Sequence, residues 1–159
     1  WTANSKAEWE TAPEDWPGTR YEAKAIGAAR NAGITDGDTI KVRCGEQPEA
    51  RVRLAEIDAP ESKQAYGQTS KKALSDMVYR QWVQINVVDV DRYGRWVAHI
   101  ARDGQSVNFR MVDLGLAWCY DRYVRDRSCY DRQAAASGAG RGLWKDQNPI
   151  QPWEFRRRK

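Results

Sequence analysis

Five charged residues stand where the strands that we predict from the sequence begin, bend or end: Asp38, Arg53, Asp58, Glu61 and Arg95. Carboxylate oxygens are hard ligands that suit a divalent cation, with backbone carbonyls and water completing the shell. A further carboxylate can remove a proton from an attacking water. Guanidinium groups form paired hydrogen bonds to phosphate oxygens. Together these residue types predict hydrolytic chemistry on a phosphodiester.

The spacing of the five residues indicates separate roles. Asp38 and Asp58 would bind the cation, Glu61 would act as the general base, and Arg53 and Arg95 would bind the phosphate. Each residue also has a simpler interpretation. Asp38 can shape a turn, Asp58 can end a strand before a proline, and each arginine can answer a nearby carboxylate. From spacing alone both interpretations stay open.

The charge of the chain does not by itself indicate nucleic-acid binding. The net charge of the 159 residues is +4, the last four residues contribute four positive charges, and 4 − 4 leaves 0 for the rest. Affinity for phosphate must therefore come from the local placement of arginines. The basic tail, 156–159, is either a weak attractor of polyanions or a solvated, disordered end. No run of 18 apolar residues is present, so no membrane span is predicted.

The three cysteines and the single histidine lack zinc-site spacing. A disulfide between Cys119 and Cys129 would close a short polar loop and would indicate an oxidising compartment, with Cys44 left free. Three thiols in a reducing compartment is the alternative, and both stay open. We expect a secreted or periplasmic protein. His99 lies in an alternating strand and is expected to be structural rather than catalytic.

Alternation and turn residues predict the elements that position these side chains. A first strand is expected within 21–34 and a second at 39–44, after the turn Asp36-Gly37-Asp38. A third is expected at 51–57, where alternation places Val52, Leu54 and Glu56 on one face. The remaining predicted elements are a helix at 68–79, strands at 83–90 and 96–101, a hairpin turn at Asp103-Gly104, a helix at 107–114 capped by Ser106, and a helix at 130–140.

About five strands and three short helices predict an α+β fold. The expected architecture is a five-stranded β-barrel of the oligonucleotide-binding type with about three helices packed against it. Residues 1–20 are expected to form an N-terminal extension, 21–147 the domain, and 148–159 a C-terminal wrap with a basic tail. The sequence begins at Trp1 without a signal-peptide pattern, which leaves natural processing and deliberate trimming equally open.

The charged residues fall within three longer blocks, DGDTI at 36–40, VRLAEIDAPE at 52–61 and DRYGR at 91–95. Further blocks follow at Val107-Asn108, GLA at 115–117 and GRGLW at 140–144. In this order, over residues 21–144, they closely resemble the staphylococcal nuclease (thermonuclease) family. One such block is a weak indication, whereas several in order with compatible intervals are strong.

The resemblance implies a calcium-dependent nuclease acting on single-stranded or frayed DNA and RNA with little sequence specificity, leaving 3′-phosphate and 5′-hydroxyl ends. It also implies a role for each matching position. The metal ligands would be Asp38, Asp58 and the Ala59 carbonyl, the catalytic residues Arg53, Glu61 and Arg95, and the substrate-binding residues Arg92, Tyr93 and Tyr123. We expect a monomer.

The chain departs from the family prototype at three places. Ala59 replaces a threonine, Asp121 replaces a tyrosine beside the nucleotide, and the loop from Glu61 to Tyr66 is shorter. We expect activity to be retained, because a backbone carbonyl at position 59 can still bind metal. The alternative function is a non-catalytic module of the same fold that binds nucleic acid or protein. Such modules typically lose the carboxylates or arginines, which are all present here.

Overall fold

The computed structural model of the chain describes residues 20–28, 37–43 and 49–158, and side chains in all of these ranges except 20–28. The predicted N-terminal extension, except Arg20, and Cys44 lie outside the described residues. The predicted first strand is β1, Arg20–Ala28, and its predicted continuation to residue 34 also lies outside. The second is β2, Thr39–Arg43.

The main sheet is assembled largely from antiparallel neighbours in the chain. Strand β3 (Ala50–Leu54) pairs with β2, β2 with β1, β1 with β5 (Trp82–Val90), and β5 with β6 (Trp96–Arg102). A two-residue turn, Asp103-Gly104, then leads into β7 (Gln105–Ser106), as predicted. Strand β3 also pairs with β6 in parallel, with Val52 opposite Trp96. This second pairing brings the end of β3 beside the first half of β6.

The predicted third strand is wrong in its second half. Strand β3 ends at Leu54, a turn follows at Ala55 and Glu56, and the chain resumes as β4 (Ile57–Asp58), which pairs with β8 (Trp118–Cys119). Glu56 has a φ of 69°, in the left-handed region that interrupts a strand. Its carboxylate accepts hydrogen bonds from two backbone N–H groups, of Arg125 and Asp126, so it faces the loop after β8. The break turns Asp58 away from the line of β3.

Four α-helices occur in the part of the chain that the structure describes, one more than predicted. They are α1 (Gly67–Val78), α2 (Val107–Asp113), α3 (Ser128–Gly138) and α4 (Pro152–Arg157), with a 3₁₀ turn at Gly142–Lys145. Ser106 caps α2 as predicted, since its hydroxyl accepts a hydrogen bond from Phe109 N. The six-residue α4 was not predicted because it is too short to display helical periodicity.

The core lies between the sheet and helices α1 and α2. It contains apolar side chains that alternate along the strands, together with one face of each helix: Ile40, Val42, Val52, Leu54, Leu74, Val78, Val83, Ile85, Val87, Ala98, Ile100, Met111 and Val112. The predicted α+β class is confirmed. Within the described ranges, no helix has both the length and the apolar character needed to cross a bilayer.

Candidate active site

Arg53 links the two predicted metal ligands. Its side chain is 13% exposed, and its guanidinium lies 3.3 Å from Asp38 Oδ2 and 3.3 Å from Asp58 Oδ1. The same guanidinium donates hydrogen bonds to the carbonyl oxygens of Leu54 and Ile57, on either side of the break between β3 and β4. A buried guanidinium with this many acceptors is held in one orientation. One side chain therefore fixes both carboxylates and the bend that separates them.

Asp38 and Ala59 lie beneath Asp58, in the interior. Asp38 is 1% exposed, and its Oδ2 accepts a hydrogen bond of 2.8 Å from Ala59 N. Gly37 precedes it and touches α1 so closely that a Cβ would overlap Ser70. The Asp38 backbone carbonyl accepts from Leu54 N. The turn before β2 is thus packed against both β3 and α1. This packing fixes the position of the Asp38 backbone, and with it the carboxylate.

The negative charge of Asp58 is opposed by burial and by Asp38, and is offset by two guanidinium groups. Burial raises the pKa of Asp58 to about 6; the Asp38 charge acts in the same direction, against hydrogen bonds from Arg156 and the charge of Arg53. Among the described residues, no three His, Cys, Asp or Glu side chains form a metal cluster on their own. Two buried carboxylates nevertheless fit a hard divalent cation whose other ligands are carbonyl oxygens and water.

Glu61 stands at the edge of this carboxylate pair, on a turn that α1 supports from behind. Its backbone N–H donates to Gln64 Oε1 at 3.0 Å, and its carbonyl accepts from Gln64 N. A Cβ at Gly67, the first residue of α1, would overlap the Glu61 carbonyl oxygen, so only glycine permits this approach. The Glu61 side chain is 16% exposed, which leaves the carboxylate reachable from solvent.

Arg95 is positioned by the turn that precedes β6. Asp91 Oδ1 accepts from the backbone N–H groups of Tyr93 and Arg95, and Oδ2 accepts from Arg95 Nε at 2.7 Å. Burial acts to raise the pKa of Asp91, but these hydrogen bonds and the Arg95 charge outweigh it, so the pKa is lowered. Arg51 NH2 donates to the Tyr93 carbonyl and holds the turn against β3.

Two exposed tyrosines, each with an arginine guanidinium over its ring, form the rim of the site. Tyr93 is 58% exposed, and the guanidinium of Arg92 lies 5.0 Å from its ring centroid. Tyr123 is 51% exposed, with Arg122 5.4 Å from its centroid. An exposed ring beside a cation offers a stacking surface for a base next to a partner for its phosphate.

The loop that carries Tyr123 is tied down at both ends. Cys119 and Cys129 form a disulfide, which decides between the two alternatives that the sequence left open. Between them, backbone N–H groups at 125 and 126 donate to Glu56, whose other carboxylate oxygen lies 2.7 Å from His99 Nε2. His99 thus contacts a residue that anchors the loop, in agreement with a structural role. Sequence reasoning missed Glu56 because alternation predicted it to lie on the same face as Val52 and Leu54.

The predicted residues converge on one cleft of about 880 Å³. Seven of the nine line it, while Asp38 and Ala59 are buried beneath Asp58. The seven lining residues are Arg53, Asp58, Glu61, Arg92, Tyr93, Arg95 and Tyr123. Further lining residues that the sequence did not indicate include Glu56, Tyr120, Arg122, Arg125 and Arg156.

Arg156, the first residue of the basic tail, is docked on the domain rather than solvated, whereas Arg157 and Arg158 are exposed. It lies on α4, and its guanidinium contacts Asp58 Oδ2 at 2.7 Å and Glu61 Oε1 at 3.3 Å. Arg156 lies 95 positions after Glu61 and 98 positions after Asp58, and contacts over such separations cannot be recognised from local spacing. The PWE tripeptide before it, which supplies a helix-starting proline and a ring, was the one usable indication.

Comparisons with known proteins show which family the chain is similar to. Residues 51–146 match the family model described as staphylococcal nuclease homologue. The chain is 45% identical over 124 residues to an uncharacterized endonuclease of Haemophilus influenzae, covering 78% of this chain and 70% of that protein. It is 42% identical over 135 residues to Protein ParB of Escherichia coli, covering 78% and 76%. It is 41% identical over 135 residues to a micrococcal nuclease of Shigella flexneri, covering 78% and 77%.

Proposed function

Because the chain belongs to the staphylococcal nuclease family, we propose that it is a nuclease that hydrolyses the phosphodiester bonds of DNA and RNA with little sequence specificity. The observation that carries the proposal is the arrangement around Arg53, whose guanidinium joins two buried aspartates at the base of a cleft lined by Glu61 and Arg95. A metal-binding pair, a base and two phosphate-binding cations are the parts that this hydrolysis requires.

We propose calcium as the cation, held by Asp38, Asp58 and the Ala59 carbonyl oxygen. When bound, it would supply Lewis-acid polarisation of the phosphate. The chain's own groups support a hard cation, since the two aspartates are 1% exposed and their mutual repulsion raises the pKa of Asp58 beyond the effect of burial. An alanine at position 59 does not remove the ligand, because the backbone supplies it.

The protein side chains divide the remaining work. Glu61 accepts a proton from the water that attacks phosphorus, and its partial exposure allows that water to reach it. Arg53 and Arg95 donate to the phosphate oxygens as negative charge increases on them. The bond from phosphorus to O5′ breaks and O5′ takes a proton from solvent, which leaves a 3′-phosphate and a 5′-hydroxyl.

The rim supports a preference for unpaired strands. Tyr93 and Tyr123 are both more than half exposed, so each can stack on a base that is free of its complement. Arg92 lies over the first ring and Arg122 over the second, where each can contact the adjoining phosphate. We therefore propose single-stranded or frayed DNA and RNA as the substrates.

Three further features belong to the proposal. The parallel contact of β3 with β6 supports a five-stranded barrel of the oligonucleotide-binding type. We propose a monomer, for which the site is sufficient because one chain supplies all nine proposed residues. Secretion or periplasmic export is supported by the Cys119–Cys129 disulfide, which persists in oxidising compartments. Cell fractionation tests export, and recovery from the cytoplasm alone would contradict it.

The first prediction is that Glu61→Gln lowers the cleavage rate about 10²- to 10⁴-fold, because the variant keeps the shape of the base but cannot accept a proton. The measurement is release of acid-soluble fragments from heat-denatured DNA in calcium, repeated in chelator. Glu154→Gln is the matched control, since within the described residues the one ion pair of Glu154 is with Arg157, on the surface.

The outcomes separate two functions. Calcium-dependent cleavage by the parent chain that is lost in Glu61→Gln but kept in Glu154→Gln supports the nuclease. Absence of cleavage in every cation, with oligonucleotide binding retained, would instead support a non-catalytic binding module of the same fold. Undiminished cleavage by Glu61→Gln would place the base elsewhere.

A further inference from the structure

The guanidinium of Arg156 lies against the two carboxylates that the proposed reaction uses most directly. Arg156 Nη2 is 2.7 Å from Asp58 Oδ2, while Arg156 Nη1 is 3.1 Å from Asp58 Oδ1 and 3.3 Å from Glu61 Oε1. Arg156 Nη2 also lies 3.3 Å from the Tyr120 hydroxyl oxygen. Both oxygens of Asp58 are therefore hydrogen-bonded to one side chain, in the two-pronged geometry that arginine forms with carboxylates.

Helix α4 is anchored by contacts that do not involve these charges. The Trp153 ring stacks on Tyr120 at 5.1 Å with 4° between the planes, and meets the edge of Trp118 at 6.1 Å. Pro152 is buried. Gln64, whose Oε1 accepts from Glu61 N, donates through Nε2 to the Ile150 carbonyl. The segment that carries Arg156 is thus packed on the same turn that positions Glu61.

Arg156 and a divalent cation compete for the same lone pairs and the same negative charge. A cation bound to Asp58 needs at least one of the two oxygens that Arg156 now contacts, and like charges this close repel strongly in a buried site. Arg53 does not compete in the same way, because its four acceptors, including two backbone carbonyls, hold it at the base of the site. Arg156, 34% exposed, can turn toward the cleft.

We infer that Arg156 is a resident counter-ion of Asp58 and Glu61 that a divalent cation must displace, so that this arginine sets the cation affinity of the site. The inference rests on the proposed function for the location of the metal. In the absence of the cation, Arg156 neutralises one ligand and pairs with the base. Displacement frees Glu61 to accept a proton and directs a third guanidinium into the cleft, where the substrate phosphate would lie.

The test compares calcium affinity in Arg156→Gln and Arg157→Gln, measured by calorimetric titration of CaCl₂ into the metal-free full chain. Arg157 is the next residue of α4, is 76% exposed and pairs with Glu154, so its loss removes the same charge without touching the site. We expect Arg156→Gln to bind calcium about five- to tenfold more tightly than the parent chain. The reason is that the charge-assisted hydrogen bonds from Arg156 to Asp58 and Glu61 no longer compete with the cation. Arg157→Gln should match the parent within about twofold.

A second variant keeps the inference testable if Arg156→Gln folds poorly. Trp153→Ala removes the stack that anchors α4 but leaves every charge, and should also tighten calcium binding. The intrinsic tryptophan fluorescence of the parent chain should change on addition of calcium with the same midpoint as the titration, and this change should be absent from Trp153→Ala. Equal or weaker calcium affinity in Arg156→Gln would overturn the inference, and so would a gain of the same size in Arg157→Gln.

The inference and the proposed function fail differently. Tighter calcium binding by Arg156→Gln with no cleavage by the parent chain would uphold the counter-ion and reject the nuclease. Calcium-dependent cleavage with unchanged affinity in Arg156→Gln would uphold the nuclease and reject the counter-ion. Absence of calcium binding by both chains would overturn the inference, and a cleavage assay in other cations would then judge the nuclease separately.

Discussion

Arg53 and Arg95 are proposed to bind the same phosphate, yet they are held by very different means. Arg53 is 13% exposed and contacts two carboxylates and two backbone carbonyls. Arg95 depends on Asp91, which accepts from its Nε and from two backbone N–H groups of the same turn. Loss of one contact should therefore displace Arg95 much more than Arg53.

The prediction at this scale is that Asp91→Asn lowers kcat/KM about tenfold, because the amide keeps an acceptor for the turn but loses the charge that orients Arg95. Asp103→Asn is the matched control. Asp103 also lies in a turn, its side chain is 90% exposed, and asparagine tolerates its positive φ. Steady-state cleavage kinetics measure the effect, and equal kcat/KM for the two variants would contradict the role assigned to Asp91.

Asp91 also predicts a pH dependence of stability. Its pKa is lowered in the folded chain, so the unfolded chain binds a proton more readily at acid pH. The resulting stabilisation is complete above the ordinary aspartate pKa of about 3.9 and is lost as the pH falls through the lowered folded value. The stability gap between the parent chain and Asp91→Asn, measured by urea unfolding, should shrink from pH 6 to pH 3. A gap that widens toward acid pH would contradict this sign.

At the scale of elements, the break between β3 and β4 does most to position the site. Asn108 on α2 is fully buried and donates through Nδ2 to the carbonyls of Ala55 and Ala98, while its Oδ1 accepts from Ile100 N. This side chain holds the turn that redirects the chain toward Asp58. The sequence predicted the strand correctly up to Leu54 because alternation is local. It could not predict the break, because the partners that hold Ala55 and Glu56, namely Asn108 and the backbone N–H groups at 125 and 126, lie more than 40 residues away.

The disulfide is the element-scale constraint on the loop that carries Tyr123. Closure of a loop of this length should stabilise the fold by about 2–3 kcal/mol in the chain-entropy account. Cys119 and Cys129 are fully buried, so the double variant Cys119→Ala, Cys129→Ala changes little else on the surface. We expect urea unfolding to show a free energy of unfolding about 2–3 kcal/mol lower in the double variant than in the parent chain. A reducing agent should lower the stability of the parent chain by a similar amount and should not change that of the double variant. Equal stability of reduced and oxidised parent chain would contradict it.

For the molecule as a whole, the sequence was most informative where the information was contiguous. Short motifs that also determine the local turns indicated Asp38 beside Gly37, and Asp58 and Glu61 around Pro60. The structure brings these residues close together, and their catalytic roles stay predictions. The sequence did not predict that Arg156 would reach the same carboxylates, because packing of Trp153 on Tyr120 brings α4 to residues more than 90 positions earlier in the chain. A tail rich in arginine has no period or motif that distinguishes such docking from solvation.

The distribution of charge leads to the last prediction. Without its four terminal residues the chain has no net charge, yet six arginines line one cleft, and four of them, Arg53, Arg92, Arg95 and Arg122, are proposed to contact phosphate. For single strands, affinity falls with salt with a slope of about −0.7 per phosphate contact in a double-logarithmic plot, so four contacts predict about −3. The slope is measured without cleavage by using Glu61→Gln in chelator. Its binding of a labelled single-stranded oligonucleotide is followed by fluorescence anisotropy from about 50 to about 300 mM NaCl, a range over which surface charges become screened.

Arg122→Gln should make the slope shallower by about 0.7. Arg110→Gln removes the same charge from the exposed side of α2, outside the cleft, and should leave the slope unchanged. If both variants shift the slope equally, overall charge rather than the placement of arginines governs binding.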